Sequence, residues 1–269
     1  MSIRKFIMLT LLKTGLQIFV TSFFIYFSVQ SFAQKPPDWK LEKIPVELET
    51  DFALSALPVH LRSLATVYLL DPDKGYYVTH KGSNGFVCFV ARTEWEWGKF
   101  NNDIATPVSY DEQGATTIFI VYKDVEMMRA SGKYTALQIK DSVIKRINKG
   151  IYKAAKPGIS YMLGPIMRNY AGDPGDTMVK TMSGPHYMFY APYLTNSDIG
   201  NTITAEPRGP VIVNGGSTIL GERKGPFGYI ILPVGAMEKA KIIEDNKELL
   251  NRLIDYKPYF KIEYNIMHH

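Results

Sequence analysis

The sequence contains one cysteine, Cys88, so the chain lacks the second thiol needed for an internal disulfide. It also lacks several patterns typical of enzymes and metal sites: G-x-S-x-G, a Walker phosphate loop, H-E-x-x-H and paired cysteines. Internal repeats, low-complexity tracts and a Pro/Gly/Ser-rich linker are absent too. Stability must therefore come from packing of a chain that is 46% hydrophobic, and no cofactor or metal is predicted.

An excess of charge of one sign is also absent once the N-terminus is set aside. The chain has 31 Lys and Arg residues against 26 Asp and Glu residues, but residues 1–33 contain Arg4, Lys5 and Lys13 and no acid. The rest of the chain is therefore nearly neutral. This overall charge gives no reason to expect binding to nucleic acid or to an anionic membrane surface.

The N-terminus has the three parts of a secretory signal peptide. A basic start at residues 4–5 precedes an apolar run over residues 16–27, and Ser31 and Ala33 are the small residues expected before a cleavage site. We therefore predict cleavage after Ala33, export to the periplasm or the medium, and no stable membrane span in the mature protein. The alternative is an uncleaved anchor, because residues 15–33 are nearly long enough to span a bilayer of about 30 Å.

Apolar segments bounded by turn residues predict a sheet. The first three strands are expected to form an antiparallel meander, and the uninterrupted apolar sequence F-V-C-F-V of the third indicates burial on both faces. Polar and glycine-rich turns separate the segments. The predicted strands are 66–70, 76–80, 86–90, 159–163, a strand beginning at Pro185, 211–213 and 229–232.

Two neighbouring helices are predicted in the middle of the chain. Residues 118–128 carry apolar side chains at intervals of three and four, and Ser131-Gly132 is typical of a helix end. The capping-box pattern Thr135-x-x-Gln138 predicts the start of the second helix. The apolar face of that helix is formed by Ile139, Val143, Ile147 and Ile151.

Two further helices are predicted outside this pair. The first covers residues 52–61, with Thr50 or Asp51 as its N-cap. The second covers residues 240–256 and closes the fold. Both have apolar side chains at helical intervals.

Together these elements predict an α+β fold: a mixed or antiparallel sheet with a central helix pair and a C-terminal helix. Residues 1–33 are expected to be the signal peptide. Residues 34–49 are expected to form an extended N-terminal segment, because prolines and alternating charges disfavour a helix. Residues 50–269 are then expected to be one globular α+β domain, since no linker divides them and their length suffices for one core.

Five short segments together resemble a group of uncharacterised secreted bacterial proteins. They are G-S-N-G-F-x-C at 82–88, P-G-I-x-Y-M-L at 157–163, G-P-H-Y-M-F-Y-A-P at 184–192, T-N-S-D-I-G at 195–200 and I-I-L-P-V at 230–234. That group has no assigned activity, substrate or cofactor, so the resemblance implies no functional residue. Its members often have a second cysteine where this chain has Ser109. If that cysteine pairs with the position of Cys88, the resemblance implies that this chain has lost a disulfide.

One stretch, S-G-P-H-Y-M-F-Y-A-P-Y-L-T-N-S-D-I-G, gathers polar and aromatic side chains around a predicted strand end. His186 and Tyr190 should share one face of that strand, while Asn196 and Asp198 lie in the loop after it. The turn containing Asn84 is a further contributor. The leading hypothesis is therefore an exported, non-catalytic protein that binds a small ligand or a protein partner at these residues.

A hydrolase-type enzyme is the rival hypothesis. His186 would act as general base, either oriented by Asp198 or paired with Cys88 as nucleophile. Structural roles compete with both assignments: a buried histidine bonded to the backbone, and an inert thiol, since Cys88 lies among Phe and Val residues.

The sequence E-W-E-W places Trp95 and Trp97 at strand spacing, each directly after a glutamate, Glu94 or Glu96. Such a platform is found in carbohydrate sites, although tryptophans on one side of a strand more often fill a core. Carboxylates two apart on a strand do not face each other across a bond. Glu94 and Glu96 alone therefore do not meet the glycosidase geometry.

Overall fold

Strand β3 (Val87–Ala91) is central to the computed structural model of the chain, and each of its residues is buried. Phe89 belongs to the apolar core on one face of the sheet, while Cys88 and Val90 belong to the core on the other face. The expected burial on both faces is confirmed. Sheet hydrogen bonds satisfy the backbone of such a strand, so an apolar sequence can be buried on two sides.

The structure describes residues 40–170, 178–201, 210–214 and 224–265. The chain divides into two units, Met1–Pro36 and Pro37–His269, and the described residues all belong to the second. The expected signal peptide and its cleavage site lie outside the described residues.

The described strands were only partly predicted. The predicted strands recur with small shifts at their ends, whereas β4, β6, β7 and the short β11 had not been expected. The strands are β1 Thr66–Asp71, β2 Gly75–His80, β3 Val87–Ala91, β4 Thr106–Tyr110, β5 Ile159–Met162, β6 Met167–Tyr170, β7 Val179–Ser183, β8 His186–Tyr190, β9 Val211–Asn214, β10 Gly228–Pro233 and β11 Tyr264–Asn265.

The main sheet has eight described strands in the order β2-β1-β3-β4-β5-β8-β10-β9. Its neighbours are antiparallel except β1 and β3, which are parallel. The expected meander is therefore wrong, because β3 joins the side of β1 that is opposite β2. The apolar strand β3 thereby gains two neighbours, whereas the more polar β2 lies at the edge. A second sheet has the order β11-β7-β6.

The helices cover both faces of the main sheet. Helices α4 and α5 contribute to the core that contains Phe89, and helices α1 and α7 contribute to the core that contains Cys88. In the described part of the chain, no helix is long and apolar enough to cross a membrane. The described α-helices are α1 Val46–Leu54, α2 Val59–Arg62, α3 Glu112–Thr117, α4 Phe119–Ser131, α5 Ala136–Asn148, α6 Ala236–Asp245 and α7 Lys247–Tyr256.

The expected helix pair is confirmed as α4 and α5. Gly132 ends α4 in the left-handed conformation that glycine adopts most easily. Both hydrogen bonds of the capping box between Thr135 and Gln138 are present at the start of α5. The second helix is shorter than expected, since it ends at Asn148 and leaves Ile151 exposed.

Two other helix predictions were wrong in their bounds. Helix α1 begins at Val46, directly after Pro45, so Thr50 lies inside the helix rather than at its N-cap, and the extended segment ends before residue 49. Proline is tolerated at this N-cap because no hydrogen bond within the helix requires its missing N–H. The expected single C-terminal helix is divided into α6 and α7 at Asn246, whose side chain donates to the Ile242 carbonyl at 2.7 Å. The fold as a whole is α+β, as predicted.

Candidate functional site

The structure does not assemble the expected pocket around His186. His186 is the first residue of β8, opposite Pro233 on β10, and its buried Nδ1 lies 2.7 Å from the Gly184 carbonyl oxygen. Asn196 instead contacts Ile212 on β9. Strand β9 lies two strands from β8 in the sheet, and Ile212 is nearer to the end of β8 that lies away from His186. Strands lie about 4.8 Å apart and rise about 3.4 Å per residue, so the side chains of His186 and Asn196 are too far apart to form one pocket.

Asn196 and Asp198 each hold nearby backbone in place. The Asn196 side chain accepts a hydrogen bond from the Ile212 N–H at 2.7 Å and donates one to the Ile212 carbonyl at 3.5 Å. The Asp198 carboxylate accepts from the N–H and hydroxyl of Thr195, both at 2.8 Å. These bonds hold the pKa of Asp198 below its usual value. Asn196 therefore anchors its loop to β9, and Asp198 caps the short helical turn that follows Thr195.

Asn84 and Tyr190 also have structural contacts. The Asn84 side chain accepts from the Phe86 N–H at 3.1 Å and donates to the Leu61 carbonyl at 2.9 Å, which anchors the turn before β3. The Tyr190 hydroxyl donates to Asp111 Oδ1 at 2.9 Å. That carboxylate is also the N-cap of α3, so the tyrosine fixes a helix start.

Cys88 and His186 lie on opposite faces of the main sheet, which excludes the nucleophile–base pair of the hydrolase hypothesis. The Cys88 thiol points into the core beneath α1 and α7. His186 shares the face of Met188 and Tyr190, which pack into the core beneath α4 and α5. Burial raises the pKa of the Cys88 thiol well above its usual value, so the thiol is kept protonated.

Cys88 does have a cross-strand partner in Ser109, the position at which the resemblance implies a second cysteine. The two Cα atoms are paired in the β3–β4 ladder, and both residues are fully buried. We predict that Ser109→Cys forms a disulfide with Cys88 and raises the free energy of unfolding by about 2 kcal/mol. Thiol counting under denaturing conditions, and thermal unfolding with and without reductant, measure the two effects.

The matched control is Val108→Cys, because Val108 faces the opposite core and cannot reach Cys88. Two free thiols in oxidised Ser109→Cys would contradict the pairing.

A different cluster of titratable side chains lies on the face covered by α4 and α5. We call it the carboxyl–tyrosine cluster. Its members act on one another electrostatically and come from the segment after β3, the end of β4, helix α4 and strand β10. They are Glu94, Glu96, Tyr110, Tyr122 and Tyr229.

The segment that supplies the two carboxyl groups is a 3₁₀ helix, Trp95–Trp97, and the expectation of a strand there was wrong. Trp95 is buried in the core, while Trp97 stacks on Tyr170 with ring centroids 4.5 Å apart and an interplanar angle of 7°. Gly98 ends the helix in the left-handed conformation. Anchoring of both tryptophans fixes Glu96, which lies between them, and Glu94, which is the N-cap before Trp95.

Glu94 and Glu96 are both harder to ionise than ordinary glutamates. Burial raises the pKa of Glu94 to about 7, although Asn169 Nδ2 donates to its Oε1 at 2.8 Å. Burial, and then the charge of Glu94, raise the pKa of Glu96 well above its usual value, against the attraction of Lys140. Glu96 Oε2 is buried and has no hydrogen-bond partner in the described part of the chain. The pair therefore retains at least one proton at neutral pH.

The three tyrosines supply neutral hydroxyl groups beside these carboxyls. The hydroxyls of Tyr110 and Tyr229 lie 3.1 Å apart. Burial raises the pKa of Tyr122 well above its usual value, and the charges of Glu94 and Glu96 raise it further. The hydroxyls therefore stay protonated and can donate or accept hydrogen bonds.

A buried ionic network supports the segment that leads into the cluster. Arg129 donates to Thr93 Oγ1 at 2.7 Å and to Asn102 Oδ1 at 2.9 Å. The Thr93 hydroxyl donates in turn to Glu126. Burial raises the pKa of Glu126, whereas the guanidinium of Arg129 lowers it. This network holds residue 93, and hence Glu94, against helix α4.

Neither a metal site nor similarity to known proteins adds evidence on the function of the carboxyl–tyrosine cluster. Among the residues that the structure describes, no three His, Cys, Asp or Glu side chains converge as a metal site. Comparison of the chain with protein families, curated proteins and solved structures finds no match. The candidate site therefore depends on the geometry of this chain alone.

Proposed function

We propose that this protein is an exported, non-catalytic binding protein whose carboxyl–tyrosine cluster receives a small, positively charged molecule. The observation that carries the proposal is the pair Glu94 and Glu96, two neighbouring half-buried glutamates beside three tyrosine hydroxyl groups, with Glu96 Oε2 buried and burial raising the pKa of both carboxyls. Export is supported by the signal-peptide pattern and by the resemblance to secreted bacterial proteins.

A ligand cation would relieve the electrostatic cost of this arrangement. Each ionised carboxylate loses hydration on burial, and the two repel each other. An ammonium group placed between Glu94 and Glu96 would replace the proton that they hold and would attract both. Tyrosine rings favour nearby cations through their π faces, by about 0.5–2 kcal/mol. The same residues would thus contribute charge, hydrogen bonds and ring contacts.

A neutral sugar suits the cluster less well. Sugars stack on open aromatic faces, but one face of Trp97 is already covered by Tyr170. Hydroxyl groups of a sugar would also leave the charge of an ionised pair uncompensated. Glutamine in place of Glu94 and Glu96 could still bond to a sugar, whereas it would remove the attraction for a cation.

Acid–base catalysis is a second candidate function, supported by the raised pKa of Glu94, about 7. A carboxyl group with a pKa near neutrality can both donate and accept a proton in a working enzyme. A hydrolase of this kind would use Glu94 and Glu96 in place of His186.

We predict that the double variant Glu94→Gln/Glu96→Gln loses cation binding by about thirtyfold or more, since an unpaired buried cation costs about 2–5 kcal/mol. The mass of the protein purified from its export compartment is measured under native and under denaturing conditions. A mass that is lost on denaturation identifies a bound molecule. Thermal-shift titration with choline, putrescine and glucose as probes then compares cations with a sugar. Binding of the cations should tighten as pH rises through about 7, because the carboxylates ionise in that range.

Glu112→Gln is the control, because Glu112 is exposed on α3 outside the cluster. A bound mass that is neutral or anionic, or cation binding that survives in the double variant, would refute the proposed ligand class. Turnover of a substrate that is lost in the double variant would favour the catalytic alternative.

A further inference from the structure

Positive charge is concentrated in one part of the chain, around helix α5. Residues 133–156 contain six lysines and Arg146 but a single acid, Asp141. Outside this segment and residues 1–33, the acids outnumber the basic residues. The near-neutral charge of the chain as a whole therefore conceals a strong local asymmetry, which the expectation from overall charge overlooked.

Five of the six lysines of this segment are exposed to solvent, and Lys140 is half-buried. Within the described residues none of the exposed ones takes part in an ion pair, whereas Arg146 pairs with Asp124. Ile139 and Val143 hold the other side of α5 against the core, so its polar side must face outward. The exposed lysines, which we call the α5 basic surface, are Lys133, Lys145, Lys149, Lys153 and Lys156.

Exposed apolar side chains occur in the same segment as these lysines. Tyr134 is 43% exposed, Leu137 63% and Ile151 60%. Large apolar side chains beside cations are typical of surfaces that lie at a lipid interface, where the cations meet headgroups and the apolar groups enter the acyl boundary.

We propose that the α5 basic surface binds an anionic lipid bilayer. Charge complementarity identifies the partner as polyanionic, and Tyr134, Leu137 and Ile151 favour a bilayer over a soluble polyanion, which offers no apolar phase. Exposed lysines, rather than arginines, form the surface. Lysine interacts as a point charge with a mobile headgroup layer, whereas arginine is suited to fixed bidentate recognition of phosphate or sulfate.

Vesicle co-sedimentation tests this binding with the full mature chain. Vesicles of phosphatidylcholine containing phosphatidylglycerol should retain the protein at low ionic strength and release it as salt rises, and pure phosphatidylcholine should not retain it. The triple variant Lys145→Gln/Lys149→Gln/Lys153→Gln should bind about a hundredfold more weakly, since each lysine near an anionic surface contributes about fivefold.

The matched control is Lys74→Gln/Lys81→Gln/Lys261→Gln, which removes the same charge from exposed positions outside the segment. It should retain most of the binding. Equal loss in both triple variants, no binding to the anionic vesicles, or binding to heparin without binding to vesicles would each overturn the proposal. Circular dichroism and thermal unfolding of both triple variants verify that each is folded.

Discussion

Replacing Arg129 with methionine should lower the free energy of unfolding by about 3–5 kcal/mol, the largest effect of any single substitution that we predict. The Arg129 guanidinium is buried and bonds to Thr93, Asn102 and the carbonyls of Arg92 and Asn101. Methionine fills much of the same volume but leaves these acceptors unsatisfied. It also takes from the buried carboxyl group of Glu126 the cation that lowers its pKa most.

Denaturant unfolding at neutral pH measures this loss. Arg146→Met is the control, because its pair with Asp124 is partly exposed and should contribute about 1 kcal/mol or less. Adding Glu126→Gln to the Arg129→Met variant should restore part of the stability, since the buried carboxyl group that has lost Arg129 is then neutral. A loss below about 1 kcal/mol for Arg129→Met would mean that the network does not hold the segment before Glu94.

Replacing Glu49 with glutamine should stabilise the protein at pH 8 by about 3 kcal/mol and have little effect near pH 4.5. Glu49 is buried in α1, and its Oε1 accepts from the Leu70 N–H at 3.0 Å. Burial raises the pKa of Glu49 from 4.5 to about 7. Glutamine can accept the same hydrogen bond without carrying a charge.

The direction of the pH dependence follows from where the proton is bound. Between pH 4.5 and about 7 the folded protein keeps a proton on Glu49 that the unfolded chain has lost. The contribution of Glu49 to the free energy of unfolding is therefore fully present below pH 4.5 and is lost as pH rises to about 7. The difference in the free energy of unfolding between wild type and Glu49→Gln isolates the contribution of Glu49 from those of the other carboxyl groups with raised pKa values.

Glu47→Gln is the matched control, because Glu47 is exposed on the same helix. A difference between wild type and Glu49→Gln that stays constant from pH 4.5 to pH 8 would contradict the raised pKa.

Local signals in the sequence were sufficient for much of the fold. The capping box of Thr135 and Gln138 and the glycine after α4 depend on residues within one or two turns, and both were predicted correctly. Burial of β3 on two faces followed from its composition. The position of β3 beside β1 could not be predicted this way, because strand order is decided by which distant apolar surfaces meet. Strands β6 and β7 contain Arg168 and Lys180, and such polar residues concealed them.

The candidate site was predictable only in part. The sequence drew attention to Glu94 and Glu96 as neighbours of tryptophans, but a strand was expected where a 3₁₀ helix forms. Tyr110, Tyr122 and Tyr229 come from two strands and a helix, and nothing local indicates that they meet. Closeness in sequence had favoured His186 with Asp198 instead, which the sheet holds apart.

Helices α1 and α7 complete the same core, although one lies near each end of the described chain. Phe52 on α1 meets Phe260, just beyond α7, with ring centroids 5.9 Å apart, and Asp51 pairs with Arg252 at 2.6 Å. Contacts of such long sequence separation form late, because a large loop must close first. This side of the sheet therefore stays open until nearly the whole chain has been synthesised. A polypeptide that carries an export signal, as we propose for this one, would thereby keep its transport-competent unfolded state for longer.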